Sequence, residues 1–402
     1  MARVVLGVSG GIAAYKACEL LRQLTESGHD VRVVPTRSAL EFVGAPTWSA
    51  LSGHPVSAST WDDVHDVPHV AIGRSADLVV IAPATANLMA KAAHGLADDL
   101  LTNTLLTARC PVLMAPAMHT EMWEHPATTV NVATLRSRGV LVLEPAVGRL
   151  TGADSGKGRL PDPVEIALIC QQVLVRGALP LDLLGRRVLI SAGGTREHLD
   201  PVRFLGNRSS GAQGYALART AVARGAEVTL VSAAALADPA GVKVIKVISA
   251  LDLHDAVLAE QSAADVVVMA AAVADYRPAQ RLTTKRKKTE TLTLDLVQNP
   301  DVLRALVQRR GPGQVLVGFA AETGDASGTV REHGAAKLAR KGCDLLVVNE
   351  VGESGHPTGF EGPDNAATVL GGDGSVTDIP LGSKAALADV VWDLVAARLA
   401  RP

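Results

Sequence analysis

The sequence predicts an α/β protein built from two parallel-sheet domains, and three observations carry that prediction. Short Val/Ile/Leu runs alternate with longer amphipathic stretches, as strands buried on both faces by helices require. The strand-helix series runs twice, restarting at "RRVLISAGG". Composition agrees: 48% hydrophobic, 37 Gly and only 3% aromatic residues suit helices packed closely on sheets. The 402 residues leave room for about two or three domains of roughly 100 to 200 residues each.

In chain order the first half offers "RVVLGVS", "DVRVVPT", "DLVVIAPA", "CPVLMAPAM" and "GVLVLEPA" as strands. The second half offers "RRVLISAGG", "AEVTLVSA", "KVIKVIS", "ADVVVMAAA", "QVLVGFAAE" and "DLLVVNE". Between them "RGALPLDLLGRR" is punctuated by Gly177, Pro180 and Gly185, which sets the domains at 1–180 and 181–402. Near the end "ATVLGGDGSVTDIP" reads as a hairpin turning at Gly-Asp-Gly. Leu387, Val390, Val391, Leu394 and Val395 then follow helical spacing, with Ser383 as the cap of a packing helix.

Several classes are excluded or disfavoured. A formal net charge of −2 with scattered basic residues gives no general attraction to nucleic acid. No apolar run reaches the roughly 18 residues of a membrane span, and "MARVVLGVSGG" enters a Gly turn without a signal peptide's apolar region, so a cytoplasmic location is expected. Cys18, Cys110, Cys170 and Cys343 lie far apart without a C-x-x-C, which suggests neither a disulfide framework nor a zinc site.

Candidate chemistry lies where strands run into helices, because free N–H groups and the positive helix end point there. In "GVSGGIAAYK", Ser9, Gly10 and Gly11 are small enough for backbone amides to approach a phosphate. The segment is not G-x-G-x-x-G and no acidic residue ends the second strand, which counts against an NAD-dependent oxidoreductase. Thr36 and Ser38 at that strand end suit an ester phosphate better than a ribose diol, as in FMN. Pro83–Asn87, with Thr85 and Asn87, and Pro116–Met122, with Met118 and His119, read either as ordinary strand-helix turns or as polar groups on the apolar floor of a flat ring. His69, taken alone, reads as a helix-start or surface histidine. In the second half, "GGTREHLDPVRFLGNRSSG" presents Gly193, Gly194 and Thr195 and then Ser209, Ser210 and Gly211 at a helix start, either as capped turns or as an anion-handling loop. The run Lys285, Arg286, Lys287 and Lys288 lacks apolar periodicity, so it reads as a solvated loop unless a polyphosphate is near. Lys337 and Lys341 share a helix face at i, i+4.

Taken together, these segments resemble a known family over essentially the whole chain. "GVSGGIAAYK", "PHVAIGRSADLVVIAPATANLMAKAAHGLADDLLT" and "PAMHTEMW" are similar to the flavin-dependent cysteine decarboxylases. "AGGTREHLDPVRFLGNRSSGAQG", "AAAVADYRP", "TKRKK", "NPDVL" and "VGFAAET" are similar to phosphopantothenate-cysteine ligases. Their order resembles the bifunctional bacterial family of coenzyme A biosynthesis that fuses the two. The resemblance implies a flavodoxin-like or Rossmann-like flavoprotein decarboxylase domain followed by a Rossmann-like ligase domain.

For the second domain the resemblance implies a ligase acting on 4'-phosphopantothenate, cysteine and CTP through an acyl-cytidylate. It implies Asn207 and Lys285 as catalytic residues. It also assigns Ser209, Ser210, Gly211, Ala271, Asp275, Pro300, Asp301, Val302, Leu303, Phe319, Lys337 and Lys341 to the substrate and nucleotide site. Mg²⁺ (or Mn²⁺) is expected with CTP, and its protein ligands are unassigned, with Asp275 as the only candidate. For the first domain it implies FMN held by Ser9, Gly10, Gly11, Thr36, Ser38, Thr85 and Asn87, and His69 as catalytic residue in the decarboxylation of phosphopantothenoylcysteine to 4'-phosphopantetheine.

Two departures stand out. His119, beside Met118, occupies the place of the family's substrate-binding Asn, and Gly152 stands where the family carries a proton-donating Cys. A Gly-rich lid over 148–160 is still expected, with Asp154, Ser155, Lys157 and Arg159 in it. The departures leave an alternative open: a CTP-dependent ligase whose flavin domain is a non-catalytic assembly or regulatory module. The resemblance also implies a homo-oligomer, with trimeric first domains, dimeric second domains and a possible dodecamer.

Overall fold

Valine and isoleucine, stiff at Cβ, favour extended backbone, and runs of them without alternation belong in strands covered on both sides. The computed structural model describes residues 1–56, 68–150, 154–177, 179–287, 291–351 and 362–400. It divides into two compact units, Met1–Leu184 with Val222–Gly225 and Pro239–Val242, and Gly185–Ala221 with Ala226–Asp238 and Lys243–Pro402.

In the first unit the chain runs β1 (Arg3–Val8), α1 (Ala14–Glu26), β2 (Asp30–Pro35), α2 (Arg37–Leu40), α3 (Ala45–Ser52), α4 (Pro68–Ser75), β3 (Leu78–Ala84) and α5 (Ala86–His94). It continues through α6 (Leu100–Thr107), β4 (Val112–Pro116), α7 (Thr120–Glu124), α8 (Pro126–Ser137), β5 (Leu141–Val142), β6 (Ala146–Arg149), β7 (Ser155–Arg159) and α9 (Pro163–Arg176). The five main strands pair in parallel in the order β2-β1-β3-β4-β5. All seven residues of β3 are buried, as the central position of a covered sheet requires. Helix α6 lies so close that a Cβ on Gly7 of β1 would stand 2.6 Å from Leu101 Cδ1 and 2.4 Å from Ile81 Cδ1. Ile81, Leu88, Leu101 and Met114 form part of this core, each contributing about 1.5–3 kcal/mol by burial.

The second unit runs β8 (Arg187–Ala192), β9 (Arg196–His198), β10 (Phe204–Gly206), α10 (Ala212–Ala223), β11 (Glu227–Ser232), β12 (Val242–Lys246), α11 (Ala250–Gln261), β13 (Val266–Met269), β14 (Tyr276–Pro278) and β15 (Leu296–Gln298). Then come α12 (Val302–Gln308), β16 (Val315–Glu322), α13 (Val330–Lys341), β17 (Leu345–Glu350), β18 (Asp364–Gly371), β19 (Val376–Ser383) and α14 (Lys384–Leu399). The sheet order is β12-β11-β8-β13-β16-β17-β18-β19, parallel from β11 to β17 and antiparallel over the last two pairings. Gly214 lets the first turn of α10 sit on β8, since a Cβ there would lie 2.5 Å from that of Ala192.

The expected strands are all present, and the β18–β19 hairpin turns through Gly374 at φ 82°. Ser383 accepts the Ala386 N–H and caps α14, whose Leu387, Val391, Trp392 and Val395 are buried. The short hairpins β6–β7, β9–β10 and β14–β15 were not legible, because their strands are only three to five residues long and lie inside polar loops. All four cysteines are free. Burial pushes the Cys170 thiol up to about 12 and that of Cys343 up to about 11, so both are inert at neutral pH. No helix among the described residues is long and apolar enough to cross a membrane.

Candidate functional site

In the first unit three loops meet at the carboxyl edge of the sheet. Ser9 is the clasp. It is buried, its Oγ donates to the Pro83 carbonyl at 2.7 Å and accepts the Thr85 N–H at 2.9 Å, and its own N–H reaches Pro83 O at 3.3 Å. The loops after β1 and β3 are thereby joined. A Cβ on Gly10 would stand 2.4 Å from that of Ser38, so the loop after β2 abuts the first, while one on Gly11 would stand 3.6 Å from Thr85 Cγ2.

Thr36 and Thr85 each cap a helix, accepting the N–H groups of Ala39 at 3.3 Å and Leu88 at 3.5 Å. Asn87 is exposed in the first turn of α5. The expected group Ser9, Gly10, Gly11, Thr36, Ser38, Thr85 and Asn87 is therefore gathered at one edge, with a correction for Ser9. Its N–H and O–H are both spent on Pro83, so the amides left for a phosphate are those of Gly10 and Gly11, which find no partner among the described residues.

The loop after β4, which carries Met118 and His119, is tied to the end of β3 by the Ala117 N–H donating to Ala84 O at 3.2 Å. Met118 is half-buried against the core and its N–H donates to Gly158 O at 2.9 Å, whereas His119 is exposed at the cap position of α7. Strand β7 lies directly on this segment: Cβ atoms on Gly156 and Gly158 would fall 2.2 Å from Thr120 Oγ1 and 2.1 Å from Met118 O. The expected lid is thus an antiparallel hairpin on α7, apart from residues 151–153, including Gly152, which lie outside the described residues.

Lys157 joins Glu144 at 2.6 Å while Arg136 joins the same carboxylate at 2.7 Å. Burial works to raise the Glu144 pKa, but these two cations outweigh it and hold the carboxyl below its ordinary value. His69 stands on α4, whose backbone is tied to α6 by Thr107 Oγ donating to His69 O at 2.8 Å. Its Nδ1 is buried and finds no hydrogen-bond partner among the described residues.

The second unit contains a cleft of about 810 Å³ at the carboxyl edge of β8, β13, β16 and β17. Asn207, Ser209, Ser210 and Gly211 line it from the loop before α10, and Ala271 and Asp275 from the loop after β13. Pro300, Asp301, Val302, Leu303, Phe319, Lys337 and Lys341 complete the expected set. Gly211, at φ 80°, turns the chain into α10 so closely that its Cβ would lie 2.6 Å from that of Ala234. Asn207 Nδ2 donates to Val273 O at 3.0 Å, which fixes its side chain over the loop after β13.

Thr195 does not offer the expected phosphate donors, whereas no hydrogen bond among the described residues uses the Gly193 or Gly194 N–H. The Thr195 N–H goes to Ala272 O and its buried hydroxyl accepts the Ala274 N–H at 3.0 Å, so this segment braces the β13 loop instead. Lys285 is exposed and does not line the cleft, and Lys288 lies outside the described residues. Residues 285–287 of the charge run are exposed. What anchors it is backbone: the buried Asp200 carboxylate accepts from the N–H groups of Val202, Arg203 and Arg286 and from Arg203 Nε. Burial alone would raise the Asp200 pKa, but those donors and the Arg203 charge lower it to about 2.

Both lysines of the cleft are paired with carboxylates. Lys337 Nζ donates to Glu322 at 2.8 Å and Lys341 Nζ to Asp301 at 2.5 Å. Asp301 also caps α12 through the Arg304 N–H. Burial pushes its pKa up, while Lys341 and that N–H more than offset the push. Arg208, Lys337, Arg340 and Lys341 face only Asp275 and Asp301 among the lining residues, so the cleft is basic. Arg208, Gln213, Asn299, Arg340, Asn349 and Asn365 were not expected in it. Asn349 alone had a signal, a polar residue closing the apolar run "LLVVN" at a strand's carboxyl end.

With this geometry in hand, likeness to known proteins is informative. Residues 183–399 match the DNA/pantothenate metabolism flavoprotein C-terminal domain family, and residues 1–174 the family described as Flavoprotein. The chain is 60% identical over 408 residues to the coenzyme A biosynthesis bifunctional protein CoaBC of Mycobacterium tuberculosis H37Rv, covering 99% of this chain and 97% of that one. The chain belongs to the CoaBC family. A CoaBC relative from Vibrio cholerae is 43% identical over 399 residues, covering 98% of this chain and 97% of its own. A crystal structure of the C-terminal domain of a CoaBC protein, 37% identical, covers 54% of this chain and 97% of its own at a TM-score of 0.45. As in the CoaBC relatives, the likeness spans both units.

Proposed function

We propose that residues 181–402 join cysteine to 4'-phosphopantothenate at the expense of CTP, and that residues 1–180 decarboxylate the product to 4'-phosphopantetheine with FMN. What supports the first half is the basic cleft that gathers Asn207, Ser209–Gly211, Asp275, the 300–303 segment and both helix lysines. A carboxylate is a poor acyl donor because oxide would have to leave. Its oxygen attacks the α-phosphorus of CTP, pyrophosphate departs, and the acyl-cytidylate then loses CMP to the cysteine amine, which sheds a proton as the amide forms.

Gly211 and the amino end of α10 receive one anionic group. Lys337 and Lys341 exchange partly exposed carboxylate partners for phosphate oxygens, an exchange that costs little since such pairs contribute about 0–1 kcal/mol. Asn207 donates to developing oxyanions without adding charge. Lys285, held by the Asp200 anchor at the loop's backbone, closes on the triphosphate once it is bound. Among the described residues no group of three or more His, Cys, Asp or Glu is placed to hold a metal. Mg²⁺ or Mn²⁺ would enter with CTP, and Asp275 is the candidate protein contact for it.

In the first unit the residues fit FMN: the Gly10 approach to Ser38 leaves no room for a Cβ, and the Gly10 and Gly11 amides find no partner among the described residues. Bound flavin supplies the reversible two-electron oxidation that lets CO₂ leave. Gly10 and Gly11 hold the phosphate with Thr36 and Ser38, while Thr85 and Asn87 border the ring. Nδ1 of His69, buried without a partner among the described residues, holds or moves a proton. His119, exposed before α7, takes the substrate carboxylate.

Nothing favours an inert flavin module, since the bifunctional relatives match through both units. The enzyme works in the cytoplasm. It self-associates, trimeric through the first unit and dimeric through the second, giving a dodecamer when both contacts close. Exposed Ile12, Tyr15 and Phe42 supply apolar area for the threefold contact. The test is a coupled assay with CTP, cysteine and 4'-phosphopantothenate. His69→Asn should stall at phosphopantothenoylcysteine, while Lys285→Gln and Asn207→Asp should fail to make it. Normal flux in all three would reject these assignments.

A further inference from the structure

The inner wall of the ligase cleft carries a chain of three amide side chains to which the chemistry above gives no role. Gln213 Nε2 donates to the Lys384 carbonyl at 3.0 Å, and Gln213 Oε1 accepts from Asn365 Nδ2 at 3.0 Å. Asn365 Oδ1 accepts from Asn349 Nδ2 at 2.7 Å and from the Ala366 N–H at 3.0 Å. Asn349 Nδ2 donates its second hydrogen to the Ala366 carbonyl at 2.7 Å. Asn365 and Asn349 are buried, and all three residues line the cleft.

An amide can ordinarily be turned over with little penalty, because its two ends differ only in donating or accepting. Here backbone groups forbid it. The Lys384 and Ala366 carbonyls can only accept, and the Ala366 N–H can only donate, so each amide has one orientation that satisfies its neighbours. With both hydrogens of Asn349 Nδ2 spent, its Oδ1 is the group left for the cleft, and it meets no donor among the described residues.

We propose that Gln213 and Asn365 are positioning residues that hold the Asn349 carbonyl oxygen toward the cleft, where it selects a hydrogen-bond donor on an uncharged part of the nucleotide. The inference rests on the ligase reading and deepens it. A buried acceptor fixed in this way rewards an N–H or O–H and repels a carbonyl in the same place. The donor is either the exocyclic amine of the base or a ribose hydroxyl. Asn349 sits at the carboxyl end of β17, Asn365 on β18 and Gln213 in the first turn of α10, so three rigid elements set the oxygen's position.

The experiment measures 4'-phosphopantothenate-dependent pyrophosphate release by the full-length protein, with cysteine present to clear the acyl-cytidylate, using CTP, UTP, 2'-deoxy-CTP and 3'-deoxy-CTP. Wild type should turn over CTP and lose roughly 10- to 100-fold in kcat/KM with the analogue that lacks the recognised donor. UTP failing identifies the amine, and a deoxy analogue failing identifies the hydroxyl. Asn349→Ala should raise the KM for CTP by a comparable factor and erase that discrimination. Gln213→Ala and Asn365→Ala should erase part of it through KM, with kcat at saturating CTP changed far less.

In the Asn349→Ala background, Gln213→Ala should add nothing, because its effect passes through Asn349. Wild type that ignores all three analogues would overturn the proposal whatever the variants do. So would folded Asn349→Ala that keeps wild-type selectivity, or a full additional loss from Gln213→Ala in the double variant. Wild type that releases no pyrophosphate from CTP would instead overturn the ligase reading itself.

Discussion

The loop edges of the two sheets are built from the same strand-turn-helix unit and treat charge in opposite ways. In the first unit Ser9, Gly10, Thr36, Ser38 and Thr85 are all uncharged, and the loops are closed by one buried hydroxyl. The second edge is basic, with lysines already paired to Glu322 and Asp301 and a fixed run of amides behind them. A cofactor that stays bound through many turnovers can be held by shape and backbone donors. A triphosphate that must arrive, react and leave as pyrophosphate is better met by side chains with partners to return to.

The comparison is broken most decisively at His69. His69→Asn should cut CO₂ release from phosphopantothenoylcysteine by about 10²–10⁴-fold and leave pyrophosphate release from CTP at its wild-type rate. An equal fall in both rates would show that the two edges do not work separately. Next comes Gly10→Ala, whose Cβ must displace Ser38 from 2.4 Å. It should cost about 1–3 kcal/mol in denaturant unfolding and purify with less flavin absorbance, whereas Gly11→Ala, with 3.6 Å to its neighbour, should do neither.

Lys341→Met should raise the KM for CTP roughly tenfold and change unfolding free energy by less than about 1 kcal/mol, since its pair with Asp301 is partly exposed. A large stability loss with unchanged KM would make that lysine structural. The smallest effect concerns Asp200, whose folded pKa of about 2 lies below its ordinary value. A depressed carboxyl adds stability above the unfolded pKa and loses it as pH falls through the folded one. The stability advantage of wild type over Asp200→Asn should therefore hold near neutrality and fade between about pH 4 and 2 in thermal melts. An advantage that persisted at the acid end would detach the anchor of the Lys285 loop from its charge.

Much of this was written locally in the chain. Apolar runs such as "DLVVIAPA" and "ADVVVMAAA" specify covered parallel strands, Ser383 with the 387–395 spacing specifies the last helix, and Gly-Asp-Gly specifies the β18–β19 turn. The i, i+4 spacing of Lys337 and Lys341 correctly put them on one face of α13. Such signals are legible because a strand's or helix's period is a property of neighbouring residues alone.

The tertiary structure decided which polar groups are left over. Ser9 finds Pro83 only because β1 and β3 are adjacent, Lys341 finds Asp301 across 40 positions, and Gln213 finds Asn365 across 152. Thr195 was expected to serve a phosphate and is consumed by Ala274, a partner that the order of β8 and β13 in the sheet supplies. Sequence period states which side of an element is buried. Hydrogen-bond partners depend on which elements lie side by side, and that long-range choice determines whether a donor or acceptor still faces the ligand.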